Sequence, residues 1–279
     1  MTRDVLSRSA RPPDLTLAYG PLPEQVVDVR LPRGDDPAPL VVVVHGGFWG
    51  ASWDRAHAGP QSEALADAGF VVATVEYRRV GMAGGGWPGT FDDLAQVADV
   101  APAMVASETG RVATDDAGPV VVGHSAGGHL ALWLASRHRL PESSPWHRPG
   151  ATPLAGVVSL AGMGDLVDAE ERGLGDHAAG ALLGGAPSEL PERYAVASPA
   201  RWLPLGVRTV LVHGTADPTV PVASSRTYAR MATAAGDHVE LHELDGVGHF
   251  ELIDPLSTAW PTVLAAVSRC AGHDRRPSS

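Results

Sequence analysis

The sequence predicts an α/β fold, with one doubly wound and mostly parallel sheet carrying helices on both faces. Two observations lead there. Short continuous runs rich in Val recur along the chain, as buried parallel strands require. Each is followed by a turn and then by a longer amphipathic segment, so strands and helices alternate, and right-handed crossovers fix most of the topology.

In order, residues 25–31 alternate in polarity and read as a strand near an edge, and 40–44 form the first fully apolar strand. A helix over 61–68 leads to a strand at 70–75, a helix over 90–105 to a strand at 120–122, and a helix over 130–139 to a strand at 157–160. A strand at 207–212, a helix over 222–235, a strand at 239–244 and a helix over 256–271 complete the series. Two stretches break the rhythm. Residues 81–89 are glycine-rich around Trp87-Pro88, and residues 162–204 are too long for a simple connection. The second is expected to be a small cap over the carboxyl edge of the sheet, burying its apolar runs 178–183 and 194–197 and walling one side of a pocket. Residues 1–279 thus read as one domain, with 273–279 a disordered tail.

Composition excludes several classes. With 44% hydrophobic and 19% charged residues the chain is neither disordered nor fibrous. A net charge of −11 repels polyanions, so no nucleic-acid or membrane partner is expected. No run approaches the roughly 18 apolar residues of a membrane span. Cys270 is the only cysteine, which rules out an intramolecular disulfide. Residues 1–14 hold no apolar run of signal-peptide length, so the expected location is cytoplasmic. Oligomeric state is not legible.

Chemistry concentrates at three strand ends. Gly123-His124-Ser125-Ala126-Gly127 sits between the strand 120–122 and an apolar helix, the context of a nucleophile elbow, although a serine there is equally an N-cap in a glycine-rich turn. A serine hydroxyl needs a base within hydrogen-bond reach and an acid to orient that base. Asp217 follows the strand 207–212, and His249 lies on a glycine-rich loop after 239–244, which gives the chain order Ser, Asp, His. The third end is His45-Gly46-Gly47-Phe48-Trp49, directly after 40–44. Its glycines allow a turn whose N–H groups, from Gly46, Gly47 or Phe48, point at an oxyanion together with the N–H of Ala126. His45 is expected to brace this loop. Trp49, Trp87 and His124 are the candidate substrate-binding side chains, and Phe48 and Trp202 would extend an aromatic pocket.

These residues resemble the esterase/lipase branch of the α/β-hydrolase superfamily, from about Leu40 to the last helix. His45-Gly46-Gly47 resembles the oxyanion motif of hormone-sensitive-lipase-like esterases, with Phe48 where many carry a third glycine. Both His45-Gly46-Gly47-Phe48-Trp49 and Gly123-His124-Ser125-Ala126-Gly127-Gly128-His129-Leu130 are similar to motifs of kynurenine formamidases. Glu76-Tyr77-Arg78 resembles an Asp-Tyr-Arg segment, and Trp87-Pro88 with Asp93 resembles a Pro-x-x-x-x-Asp stretch; both are read as structural braces.

The resemblance implies acyl transfer. Ser125 would attack a carbonyl, His249 relay the proton, Asp217 hold His249, and water release the acyl-enzyme, with no metal and no organic cofactor. A small or medium carboxylic ester is the expected substrate. An arylformamidase acting on an N-formyl aromatic amine is the alternative, followed by an acyltransferase or cyclase and by a non-catalytic binding protein on the same scaffold. The last would commonly lack a triad member, and this chain has all three.

Overall fold

The computed structural model describes residues 4–113, 118–150 and 154–272. The tail expected at 273–279 lies outside the described residues. Eight strands form one sheet: β1 (Leu15–Ala18), β2 (Val26–Arg30), β3 (Leu40–Val44), β4 (Val71–Val75), β5 (Val120–His124), β6 (Gly156–Leu160), β7 (Thr209–Gly214) and β8 (Val239–Leu244). Their spatial order is β1-β2-β4-β3-β5-β6-β7-β8. β2 runs antiparallel to both β1 and β4, whereas every pair from β4 to β8 is parallel.

The helices are α1 (Gly59–Asp67), α2 (Gly89–Thr109), α3 (Ala126–Ser136), α4 (Leu166–Glu171), α5 (Ala178–Leu183), α6 (Pro191–Ala197), α7 (Val222–Ala234) and α8 (Trp260–Cys270). Two cores, one on each face of the sheet, explain the continuous apolar strands. Along β3, Leu40, Val42 and Val44 point into the core shared with α2, α3 and α7, while Val41 and Val43 point into the one shared with α1 and α8. Both faces are covered, so both sets of alternating positions must be apolar.

The sheet differs from the sequence reading at its margins. β1 is an addition to the sequence reading: only four residues long and largely exposed, it has no continuous apolar run to mark it. β7 begins two residues later than 207 and runs on to Gly214, and a 3₁₀ turn, Phe250–Ile253, precedes α8. α2 extends to Thr109 and stops at Gly110, whose left-handed φ of 63° is a helix terminator.

The segment 162–204 holds α4, α5, α6 and a 3₁₀ turn, Pro199–Trp202. It packs against α3 and joins the main core through Leu166, Leu182, Leu183, Tyr194 and Ala197. Two buried side chains of α3 anchor it: His129 Nε2 donates to Ala197 O at 2.8 Å and Trp133 Nε1 to Val196 O at 3.1 Å.

Candidate active site

The end of β5 and the start of α3 form a turn too tight for side chains at its flanks. A Cβ on Gly123 would lie 2.0 Å from Gly127 O, and one on Gly127 would lie 2.1 Å from Val44 O. Between them Ser125 has φ 55° and ψ −119°, a conformation costly for a residue with a Cβ. Its N–H donates to Leu160 O at 2.8 Å on the neighbouring strand. The strain therefore sits at one residue, at the carboxyl edge of the sheet and the N-terminus of a helix, where the dipole favours an anion.

Beside this turn runs the loop after β3. Gly46 passes so close that an added Cβ would be 2.8 Å from His124 O and 3.2 Å from Ser125 Cβ. The next three residues, Gly47, Phe48 and Trp49, all have positive φ (110°, 54° and 55°). Two non-glycine residues in that region are held there by what surrounds them. His45 is buried, with Nδ1 2.8 Å from Gly46 O and Nε2 3.0 Å from Glu76 Oε1. Tyr77 stacks on the His45 ring at 4.4 Å and donates its hydroxyl to His45 O at 2.9 Å. Glu76 also accepts the N–H groups of Tyr77 and Arg55. Burial pushes the Glu76 carboxyl up, yet the His45 hydrogen bond and charge, the Arg55 N–H and Arg79 hold it at about 2. Arg78 forks onto the fully buried Asp93 carboxylate, which ties the 81–89 loop in place. The Glu76-Tyr77-Arg78 and Asp93 segments are contacts behind the glycine turn.

His249 Nδ1 donates to Asp217 Oδ2 at 2.6 Å. The other oxygen of Asp217 accepts the N–H groups of Thr219 and Val220 at 2.8 and 2.9 Å. His213 Nε2 lies 3.3 Å from Oδ2. Burial pushes the Asp217 carboxyl up; the hydrogen bonds from His213 and His249 and the Val220 N–H outweigh it and hold the group far below the usual carboxylate range. Asp217 is thus a fixed anion behind the imidazole.

Ser125 and His249 line one cavity of about 300 Å³. Gly47, Phe48 and His124 line it from the β3 and β5 turns, Leu6, Trp53 and His57 from the N-terminal third, and Thr219 and Phe250 complete it. His124 donates its Nε2 proton to His249 O at 3.0 Å. Burial, and then the neighbouring His249, push the His124 imidazole well below 6.5, so it is neutral and its Nδ1 has no hydrogen-bond partner.

The structure departs from the sequence reading at three places around this cavity. Trp49 is not a cavity residue: its positive φ turns the indole into the core, 1% exposed and edge-on to His129 at 5.3 Å. Trp87 lies on a different cavity, of about 660 Å³, with Trp146 and Trp202, and packs edge-on to Trp146 at 4.8 Å. The 162–204 segment supplies no wall of the Ser125 cavity, because its apolar runs are spent on α3 and the core. It reaches the cavity only indirectly, through Gly175 packed under the Phe48 ring, where a Cβ would be 2.2 Å away. Conversely, Leu6, Trp53 and His57 were missed. No local motif marks them; long-range packing alone brings them to Ser125. Among the described residues no group of three or more His, Cys, Asp or Glu is arranged to hold a metal ion, and no helix is long and apolar enough to cross a membrane.

A strained serine at a strand-to-helix turn of such a sheet, with an Asp-paired histidine on the same cavity, defines an α/β-hydrolase of the esterase/lipase branch. The chain belongs to the BD-FAE family, which matches residues 27–231. It is 28% identical over 255 residues to the probable isoprenylcysteine alpha-carbonyl methylesterase ICME of Oryza sativa subsp. japonica, a match covering 86% of this chain and 59% of that protein. It is 24% identical over 262 residues to the kynurenine formamidase of Danio rerio, covering 90% of this chain and 79% of the relative. Among solved structures, a truncated carbohydrate esterase from gut microbiota superposes with a TM-score of 0.78 at 18% identity, over 95% of this chain and all of the other. That likeness is one of fold.

Proposed function

We propose that the protein is a serine carboxylesterase that cleaves small or medium esters through an acyl-enzyme on Ser125. The observation that carries this is the shared cavity: the strained Ser125 and the imidazole of His249, itself 2.6 Å from Asp217, open on the same 300 Å³ space. That volume is at the lower end of the roughly 300–1,000 Å³ of small-molecule sites, which favours a short acyl or alcohol group. His249, with Nδ1–H committed to Asp217, presents Nε2 as the base that takes the Ser125 proton and returns it to the leaving alkoxide. The oxyanion is received by the N–H of Ala126 and by the N–H groups of Gly47 and Phe48, with Gly46 as the spacer that lets the loop touch the elbow. Water then attacks the acyl carbonyl by the same relay.

A panel of p-nitrophenyl esters from acetate to octanoate tests this. Turnover highest for the short esters, and lost in Ser125→Ala, supports the proposal; no cleavage of any ester by the folded protein contradicts it.

A second reading, an arylformamidase, is favoured by the Danio rerio relative and by the rings of Phe48, Trp53 and Phe250 on the cavity. A kcat/KM for N-formylkynurenine exceeding that for every ester would replace the ester reading with this one.

A further inference from the structure

Part of the cavity lining comes from a short segment near residue 6. Asp4–Ser7 form a 3₁₀ turn that packs between the 3₁₀ turn Arg55–Ala58 and the turn Phe250–Ile253. Val5 is 1% exposed and belongs to the α1/α8 core, while its neighbour Leu6 lines the cavity with Ser125. His57 lies in one flanking turn with Trp53 just before it, and Phe250 opens the other, so the strap touches the two groups of residues that complete the same space.

The strap is fastened at several points. Arg8 clasps Asp254 through both terminal nitrogens, at 2.5 and 3.2 Å. Asp254 ends the 3₁₀ turn that starts directly after His249. Arg11 N–H donates to Glu63 of α1 at 3.0 Å, and Arg11 O accepts from Arg30 of β2, also at 3.0 Å. A strap tied to the histidine loop, to a helix and to the sheet holds a fixed position, and a half-buried leucine on it sets a fixed depth.

We propose that Leu6 is a specificity-determining residue: held by the Arg8–Asp254 clasp, it closes the cavity and limits the length of the ester group that lodges there. This rests on the reading of Ser125 as nucleophile. Leu6→Ala removes three carbons from the wall. Since each buried methylene is worth about fourfold, the longer esters gain about tenfold or more relative to acetate. Leu6→Trp acts in the opposite sense, and Arg8→Gln moves the preference as Leu6→Ala does, because the strap is no longer pinned.

The test is kcat/KM for the wild type and these three variants on two series, p-nitrophenyl acyl esters from acetate to octanoate and acetate esters of lengthening alcohols. Labelling of Ser125 by short- and long-chain alkyl fluorophosphonates is measured in parallel. The expected result is a rank order shifted toward long chains in Leu6→Ala and toward short chains in Leu6→Trp, in at least one series, with labelling rates following. A folded Leu6→Ala or Leu6→Trp whose profile superimposes on the wild type in both series overturns the strap proposal while leaving the catalytic one intact. A wild type that is neither labelled nor active overturns the catalytic reading, and this inference with it.

Discussion

At the scale of single residues, Ser125, His249 and Asp217 are expected to behave as one unit. Ser125→Ala should lower kcat by about 10⁴-fold or more without altering the fold, and His249→Ala should do nearly the same damage. The double variant should lose little beyond either single, which steady-state kinetics on a short ester will show; multiplicative losses would mean that the two do not work together. Asp217→Asn should cost no more than either, since the carboxylate orients the imidazole and stabilises the imidazolium formed during the reaction without bonding to substrate. Those three residues could be proposed from sequence because each lies in a turn or loop that follows an apolar strand. Trp49 and Trp87 were misread because an aromatic beside a glycine turn says nothing about which way the backbone points it. Leu6, Trp53 and His57 carry no local signal at all.

At the scale of elements, the elbow and the inserted helices make separable predictions. Gly127→Ala would drive a Cβ to 2.1 Å from Val44 O, a backbone atom that cannot step aside. Overpacking of this kind costs about 1–3 kcal/mol or more, so thermal unfolding should begin several degrees lower. Gly50→Ala, whose nearest neighbour would be 3.5 Å away, is the control and should leave the melting temperature almost unchanged. In α6, Ala197 is fully buried beside His129, so Ala197→Leu should lower stability without changing the order of preference among ester lengths. A shifted order would return the 162–204 segment to the cavity wall. Its helices were unreadable in detail because α4, α5 and α6 have six, six and seven residues, too few for a periodic pattern to emerge. The strands were readable because two cores demand apolar residues on both faces; β1, exposed along most of its length, meets no such demand.

At the scale of the whole molecule, buried ionisable groups couple folding to pH. Burial pushes the His57 and His129 imidazoles down to about 4 and His124 well below 6.5. All three are neutral in the fold and become protonated on unfolding at mildly acid pH. The stability they support is complete above about pH 6.5 and is lost as pH falls toward 4, at up to about 1.4 kcal/mol per pH unit for each. Glu76, lowered from 4.5 to about 2, and Asp217, lowered from 3.8, add a second loss below about pH 4.5, because they must be protonated out of their hydrogen bonds. Melting temperature should therefore fall between pH 7 and 5 and more steeply below 4.5, and His129→Phe should flatten the upper part of the curve. An unchanged melting temperature from pH 7 to 5 would show that these imidazoles are protonated in the native state.

In the proposed reaction one oxygen, Ser125 Oγ, takes the acyl group. It is tested most directly by quenching the protein in acid during turnover of a p-nitrophenyl ester and locating the retained acyl mass by peptide sequencing. The mass should lie on the peptide containing Gly123-His124-Ser125-Ala126-Gly127, at Ser125, and be absent from Ser125→Ala. An acyl group found on another residue, or undiminished ester cleavage by Ser125→Ala, would contradict it.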